Sequence, residues 1–389
     1  MSIQASSHPA LAPLSSSSLP GLQLRNRTAV APMSRVSTAG DGLATEAMRK
    51  YYSAFAEGGF GLVISEGTYP DLAHSQAYEN QPGLATAEQA NAWRPVVDAV
   101  HSGGAKFFAQ LMHAGALVQI NRHRTESVAP SAIFPKGEKM PEYGGEGAYA
   151  VPRAMIEDDF RAIIDGFCRA AVRARDAGFD GVEIHAANGY LFDQFLTTYT
   201  NSRTDRYGGS LENRIRFTAE VLRAVVKATG SGFAVGVRLS EAKVNDKSYV
   251  WPGGGDDARI IAAALRDAGA SFLHLAGEGR DFAFSANRHR GVSESARPEA
   301  SLPQIVREVA NVPVIANGGL HDGAHGARVL TEGHADVIAL GRAAVANPDW
   351  PTRLARGASF EPFDHAILQP TASLANAALW RKTRAGNAG

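Results

Sequence analysis

The chain has 389 residues, 44% of them hydrophobic and 20% charged, with 39 Lys+Arg against 39 Asp+Glu. A chain this long buries most of its unfolded surface without staples, and a formal net charge of zero offers no field for holding nucleic acid or an anionic membrane. The single cysteine, Cys168, excludes an internal disulfide and any cysteine-based cluster or zinc site.

The stretch from Met1 to Asn26 carries Ser15 to Ser18 in a row and lacks a basic start followed by an apolar core of signal-peptide length. No later stretch reaches the roughly 18 apolar residues that a membrane span requires. The expectation is a soluble, cytoplasmic protein with residues 1–26 as an N-terminal arm.

Beyond the arm, short apolar runs alternate with longer amphipathic ones. Thr28 to Ala31 reads as a buried strand and Ala44 to Glu57 as a helix; Gly61 to Ser65 and Glu88 to Ser102 repeat the pair, and Lys106 to Gln110 is a third strand. The connection from Ala114 to Pro152 has no strong periodicity; with residues up to 155 it reads as an insertion after strand three, capping the catalytic end or lying on the surface.

Ile156 to Ala177 is the clearest helix. Phe160, Ile163, Ile164, Phe167, Ala171 and Ala174 recur at helical spacing before Gly178 stops it. Strands follow at Gly181 to Ile184, Phe233 to Val237, Phe272 to Leu275, Val314 to Ala316 and Val337 to Leu340. Helices fall at Leu211 to Thr229, Ala258 to Ala268, Leu302 to Ala310, Ala324 to Glu332 and Asp349 to Arg356, and 357–389 reads as a C-terminal tail.

Eight strand–helix units predict an α/β fold of one domain over 1–389, an eightfold parallel β/α (TIM) barrel with a capping insertion after strand three. An open doubly wound sheet needs a glycine-rich dinucleotide turn after the first strand. Pro32-Met33-Ser34-Arg35 stands there instead.

In such barrels the active site is built where strands end. Those positions carry Pro32, Met33 and Ser34; Glu66 and Gly67; Gln110; His185 through Tyr190; Arg238; Asn317, Gly318 and Gly319; and Gly341 and Arg342. The last two loops suit a phosphate: glycines let backbone N–H groups approach an anion, and arginine clamps its oxygens. The same glycines also serve in plain tight turns.

His185 and Asn188 are spaced to aim two donors at one oxygen, stabilising negative charge that develops there. Tyr190 can supply a proton. A lone histidine at a strand end is more often structural, but three suitable groups cluster here, and no third ligand makes the set metal-like. Arg238 suits either an anionic reduced flavin or an ion pair with a barrel carboxylate such as Glu183. A Schiff-base aldolase is a poorer match, because Lys106 begins its strand and Lys243 lies beyond Arg238.

Leu24-Arg25-Asn26-Arg27 with Ala31-Pro32-Met33-Ser34-Arg35, then Ser65-Glu66-Gly67, resembles the opening of the old yellow enzyme family. Gly181-Val182-Glu183-Ile184-His185-Ala186-Ala187-Asn188-Gly189-Tyr190-Leu191 is similar to its central motif. The likeness continues through Asn201 to Asp205 and Tyr207 to Arg214, and closes at Leu340-Gly341-Arg342 and Ala346-Asn347-Pro348-Asp349.

The resemblance implies non-covalent FMN, NADPH or NADH as reductant, and small activated alkenes (enones, enals, maleimides or nitroalkenes) as substrates of a monomer or homodimer. It implies that Pro32, Met33 and Ser34 border the flavin ring, Gly67 and Gln110 meet its polar edge, and Arg238 sits by its N1–O2 side. Gly318, Gly319, Gly341 and Arg342 would hold the phosphate. His185 and Asn188 would bind the activating oxygen, Tyr190 would protonate the α-carbon while hydride reaches the β-carbon, and both ligands would share one site in ping-pong order.

Two positions depart from the best-known pattern: Ser34 stands where yeast-like members have Thr, and Met112 where they have Trp. Longer relatives carry an iron–sulfur cluster and a second nucleotide domain, which the cysteine content and length argue against. A related flavin barrel with oxidative or redox-neutral chemistry and a non-enzymatic ligand-binding barrel are the alternatives. Arg280, Arg288, His289 and Arg290 either touch a nucleotide 2′-phosphate or form a solvated basic loop.

Overall fold

The computed structural model describes residues 9–277 and 300–387. The Arg280, Arg288, His289 and Arg290 stretch lies outside the described residues. Eight parallel strands close into a barrel in chain order: β1 (Thr28–Val30), β2 (Leu62–Ile64), β3 (Lys106–Leu111), β4 (Gly181–Asn188), β5 (Ala234–Lys243), β6 (Phe272–Ala276), β7 (Val314–Asn317) and β8 (Val337–Leu340). Pairing of Ile338 with Thr28 and of Leu340 with Val30 joins the last strand to the first.

The expected helices are present, and several of their starts are capped by side chains. Thr45 Oγ1 accepts from the Met48 amide before α1 (Glu46–Glu57), and Thr86 with Gln89 forms a capping box at α2 (Ala87–Ser102). In α3 (Glu157–Asp176) the predicted stripe of Phe160, Ile163, Phe167, Ala171 and Ala174 is buried. It packs on the outside of the barrel with the apolar faces of α4 (Leu211–Thr229) and α5 (Gly255–Asp267).

The barrel's interior floor is a separate apolar cluster, including Ala29, Leu62, Phe108, Phe272, Ile315 and Val337. The Phe108 and Phe272 rings stack there, centroids 5.2 Å apart. Two glycines make the room: a Cβ on Gly236 would meet the Phe272 ring at 2.4 Å, and one on Gly181 would meet Phe108 at 2.8 Å. Within the expected N-terminal arm, Ser17–Leu19 and Leu22–Leu24 form an antiparallel hairpin whose Leu19 and Leu24 plug this end.

Two strands run further than their apolar cores predict. The run GVEI suggests an end at Ile184, yet β4 continues to Asn188; β5, expected to stop at Val237, continues to Lys243. Backbone pairing carries the extension, with His185 opposite Arg238 and Asn188 opposite Lys243. Between Ala186 and Asn188 the register slips, where Ser240 Oγ accepts from the Asn188 amide at 2.8 Å and donates to the Ala242 carbonyl at 2.7 Å. Polar side chains therefore stand on regular strand, where hydropathy alone predicts loop.

The insertion is tied down at both ends by a short parallel pairing of Val128–Ala129 with Arg153–Ala154. Residues 357–387 are more than a tail: helix Leu374–Asn387 packs back on the body, and the Ala372 amide donates to the Glu142 carbonyl of the insertion at 2.9 Å.

Candidate active site

One cavity of about 1050 Å³ opens at the C-terminal rim of the barrel. Pro32, Met33, Ser34, Gly67, Gln110, His185, Asn188, Tyr190, Arg238, Gly318, Gly319, Gly341 and Arg342 all line it. Arg342 and His185 thus face a common space, large enough for a nucleotide and a second small ligand together.

Below this space an electrostatic chain crosses the barrel. Gln110 Nε2 donates to Glu183 Oε1 at 2.8 Å, and His274 Nδ1 meets Glu183 Oε2 at 2.7 Å. Arg238 Nη1 lies 3.0 Å from His274 Nε2, and its Nη2 donates to Asn317 Oδ1 at 3.0 Å. Burial opposes charge on Glu183, yet His274, aided by Arg238 and Gln110, holds its pKa below the usual carboxylate value. Burial lowers the His274 pKa, so the ring is neutral, accepts from Arg238 and donates to Glu183. The carboxylate proposed as the direct partner of Arg238 is therefore reached through an imidazole.

His185 and Asn188 face the cavity from the end of β4. Nδ1 of His185 and Oδ1 of Asn188 are buried without a protein partner. Burial, then the nearby Arg238 charge, pushes the His185 pKa well down, so it is a neutral donor or acceptor at neutral pH. Asn188 adopts φ 63°, which turns its side chain back over the barrel. Buried polar atoms left open in this way mark where a ligand completes the set.

Tyr190 follows, its ring centroid 5.1 Å from that of His185. Its hydroxyl is hydrogen-bonded to that of Tyr78, which also bonds to Ser34. Burial raises the pKa of both phenols, so each keeps its proton. Tyr78 was not legible beforehand, because it comes from the irregular segment between β2 and α2. His274 did carry a signal: it is the one polar residue of the buried run Phe272–Ala276. Beyond the barrel, Met140, Glu142 and Tyr143 of the insertion and Phe363 and Leu368 of the C-terminal segment complete the walls.

The residues present fit an FMN. Gly318 and Gly319 adopt φ 139° and 68°, and a Cβ on Gly341 would touch only Met33 Sδ, at 3.6 Å, so backbone and Arg342 are open to a phosphate. Gly67 is needed because a Cβ there would strike Met112 Sδ at 2.4 Å. Arg238 supplies a buried cation on the cavity wall, suited to an anionic ring edge. Among the described residues no cluster of His, Cys, Asp and Glu could hold a metal ion, and no helix is long and apolar enough to cross a membrane.

Comparison with known proteins agrees with this geometry. The profile of the NADH:flavin oxidoreductase / NADH oxidase family matches residues 18–361. The chain is 37% identical over 350 residues to 12-oxophytodienoate reductase 1 of Oryza sativa subsp. japonica, covering 89% of this chain and 86% of that one. Among solved structures, the old yellow enzyme homologue from Zymomonas mobilis superposes with a TM-score of 0.81 at 32% identity, over 92% of this chain and 97% of that one. Morphinone reductase in complex with tetrahydroNAD gives 0.79 at 31% identity, over 94% and 96%. The match spans the whole barrel and both loops assigned to a phosphate, and the chain belongs to the old yellow enzyme family of NADH:flavin oxidoreductases.

Proposed function

We propose that this flavin oxidoreductase reduces activated alkenes, with NADPH or NADH as the source of electrons. The observation that carries the reading is the open pair at His185 Nδ1 and Asn188 Oδ1, set beside a protonated Tyr190 in the cavity shared with Arg238 and the glycine loops. When bound, FMN would supply what no side chain can, a two-electron hydride acceptor and donor.

The protein's residues do the rest. Gly318, Gly319, Gly341 and Arg342, which line the cavity, would hold the phosphate; Pro32, Met33, Ser34, Gly67 and Gln110 would border the ring, and Arg238 would favour negative charge on it. His185 and Asn188, whose amide can turn its NH₂ to the same point, bind the carbonyl or nitro oxygen and stabilise the charge that develops there. Tyr190 gives its proton to the α-carbon, and the Tyr78 hydroxyl steadies the phenolate left behind. Because the same cavity serves both partners, nicotinamide must leave before the alkene enters, in line with a relative solved with a nicotinamide analogue.

The FMN-loaded protein tests this under anaerobic conditions. NADPH or NADH should bleach the yellow absorbance and cyclohexenone should restore it. Bleaching that no enone, maleimide or nitroalkene reverses would leave a flavin reductase without alkene chemistry.

A further inference from the structure

The short helix Leu191–Leu196 directly follows Tyr190 and is wholly buried. Its Asp193 carboxylate is 0% exposed and meets Lys243 Nζ, 1% exposed, at 2.5 Å. Lys243 comes from the far end of β5, past the register slip. Nothing in the proton and hydride chemistry above uses this pair. Isolating an ion pair from water carries a penalty that its attraction only partly offsets, so its location asks for an explanation.

The explanation lies in the turn it supports. Asn188 and Gly189 are consecutive residues at φ 63° and 87°, a conformation that neither helix nor sheet bonding maintains. Each of their backbone polar groups has a separate partner. The Asn188 amide donates to Ser240 Oγ at 2.8 Å, and its carbonyl accepts from the Val244 amide at 3.1 Å. The Gly189 carbonyl accepts from Gln194 Nε2 at 2.7 Å, and the Gly189 amide donates to Asp193 Oδ2 at 2.7 Å. The turn is thus fixed on all sides while the Asn188 Oδ1 end stays open to the cavity.

Of the four anchors, only Asp193 is a charged acceptor. A carboxylate holds an amide more strongly and directionally than a neutral oxygen, but buried alone it would take up a proton or move. Burial raises the Asp193 pKa; Lys243 opposes that rise and fixes the carboxylate in place, its ammonium also lying 4.6 Å from the Tyr249 ring centroid. Lys243 is itself the strand partner of Asn188, so one residue braces the turn through backbone and side chain alike.

We propose that the buried Asp193–Lys243 pair is a positioning device for this site, holding the Gly189 amide so that Asn188 and Tyr190 reach the same bound oxygen and carbon. The proposal rests on the ene-reductase reading for Tyr190, and on the cavity geometry alone for Asn188.

Two double variants of the FMN-loaded protein separate positioning from mere stability. D193N/K243M removes both charges and keeps an oxygen for Gly189; D193L/K243M removes both charges and the acceptor. The first should bind phenol, an enolate mimic, about three- to fivefold more weakly than the parent, because a neutral oxygen replaces the charged acceptor. The second, at similar flavin content and melting temperature, should bind it at least about tenfold more weakly and be reoxidised by cyclohexenone about a hundredfold more slowly, the scale expected for an ångström of misplacement. Parent-like phenol affinity and reoxidation in D193L/K243M overturn the proposal.

If the leucine variant does not fold, D193A/K243M takes its place without added bulk. In the parent protein itself the Gly189 amide should be among the slowest to exchange with deuterium, and exchange at the rate of an exposed loop also overturns the proposal. Should no enone reoxidise even the parent, the alkene reading fails while phenol affinity still decides the positioning role.

Discussion

The two ends of the barrel are made from the same eight strands and are opposite in character. At the floor, Phe108, Phe272, Ile315 and Val337 interlock beneath a hairpin plug, with glycines trimmed to fit. At the rim, buried polar atoms of His185 and Asn188 at the end of β4 lack a protein partner, and the Tyr78 and Tyr190 phenols share one hydrogen bond. The floor is satisfied by packing and the rim is left for a ligand to satisfy. Stability and chemistry are therefore carried by different layers of one sheet, and substitutions should divide accordingly.

The largest effect should come from Tyr190→Phe, which removes the proton source and its hydrogen bond to Tyr78 while keeping the ring. Reoxidation by an alkene should slow by about 10²–10⁴-fold, while flavin reduction by nicotinamide stays close to normal in stopped flow. Equal losses in both halves would take Tyr190 out of the proton-donor role.

His185→Ala should weaken phenol binding by about tenfold to a hundredfold, the range for one hydrogen bond to a charged group. An absorbance titration checks it, and unchanged affinity would move the oxygen site elsewhere. At the floor, Gly236→Ala should destabilise by about 1–3 kcal/mol through overpacking against Phe272. Denaturant melts should show the loss with half-reaction rates within about twofold; the reverse pattern would break the division between layers.

Glu66 should give the smallest effect. Its carboxylate accepts from the Arg35 and Val36 amides at 2.7 and 3.0 Å, holding the loop that carries Ser34. Burial pushes its pKa up to about 7, from the ordinary glutamate value of about 4.3. Between those pH values the folded protein keeps a proton that the unfolded chain has released, so this group's contribution to stability falls as pH rises through the window. Glu66→Gln should flatten that part of the pH dependence of the melting temperature by a few degrees, and an unaltered profile would show that Glu66 does not titrate there.

Much of this was legible because both barrel layers have plain periodicities. Buried strands read as apolar runs, α3 as a 3.6-residue stripe, and the rim positions as whatever polar residue ends each run. The misses share a cause. β4 and β5 extend into polar sequence because pairing of His185 with Arg238 is a backbone matter that hydropathy does not register. Tyr78, Phe363 and Leu368 reach the cavity from irregular segments whose path depends on tertiary contacts. The role of His274 turns on a hydrogen-bond order, Arg238 to imidazole to Glu183, that only three strands in register can create.

The hairpin Ser17–Leu24 lies under the floor and the Ala372 segment meets Glu142 over the rim, so these two described segments serve opposite ends of the barrel. Trimming therefore has different outcomes at each. Shortening from the front strips a stopper and should make the molecule easier to melt, whereas shortening from the back widens a doorway and should first alter which molecules enter.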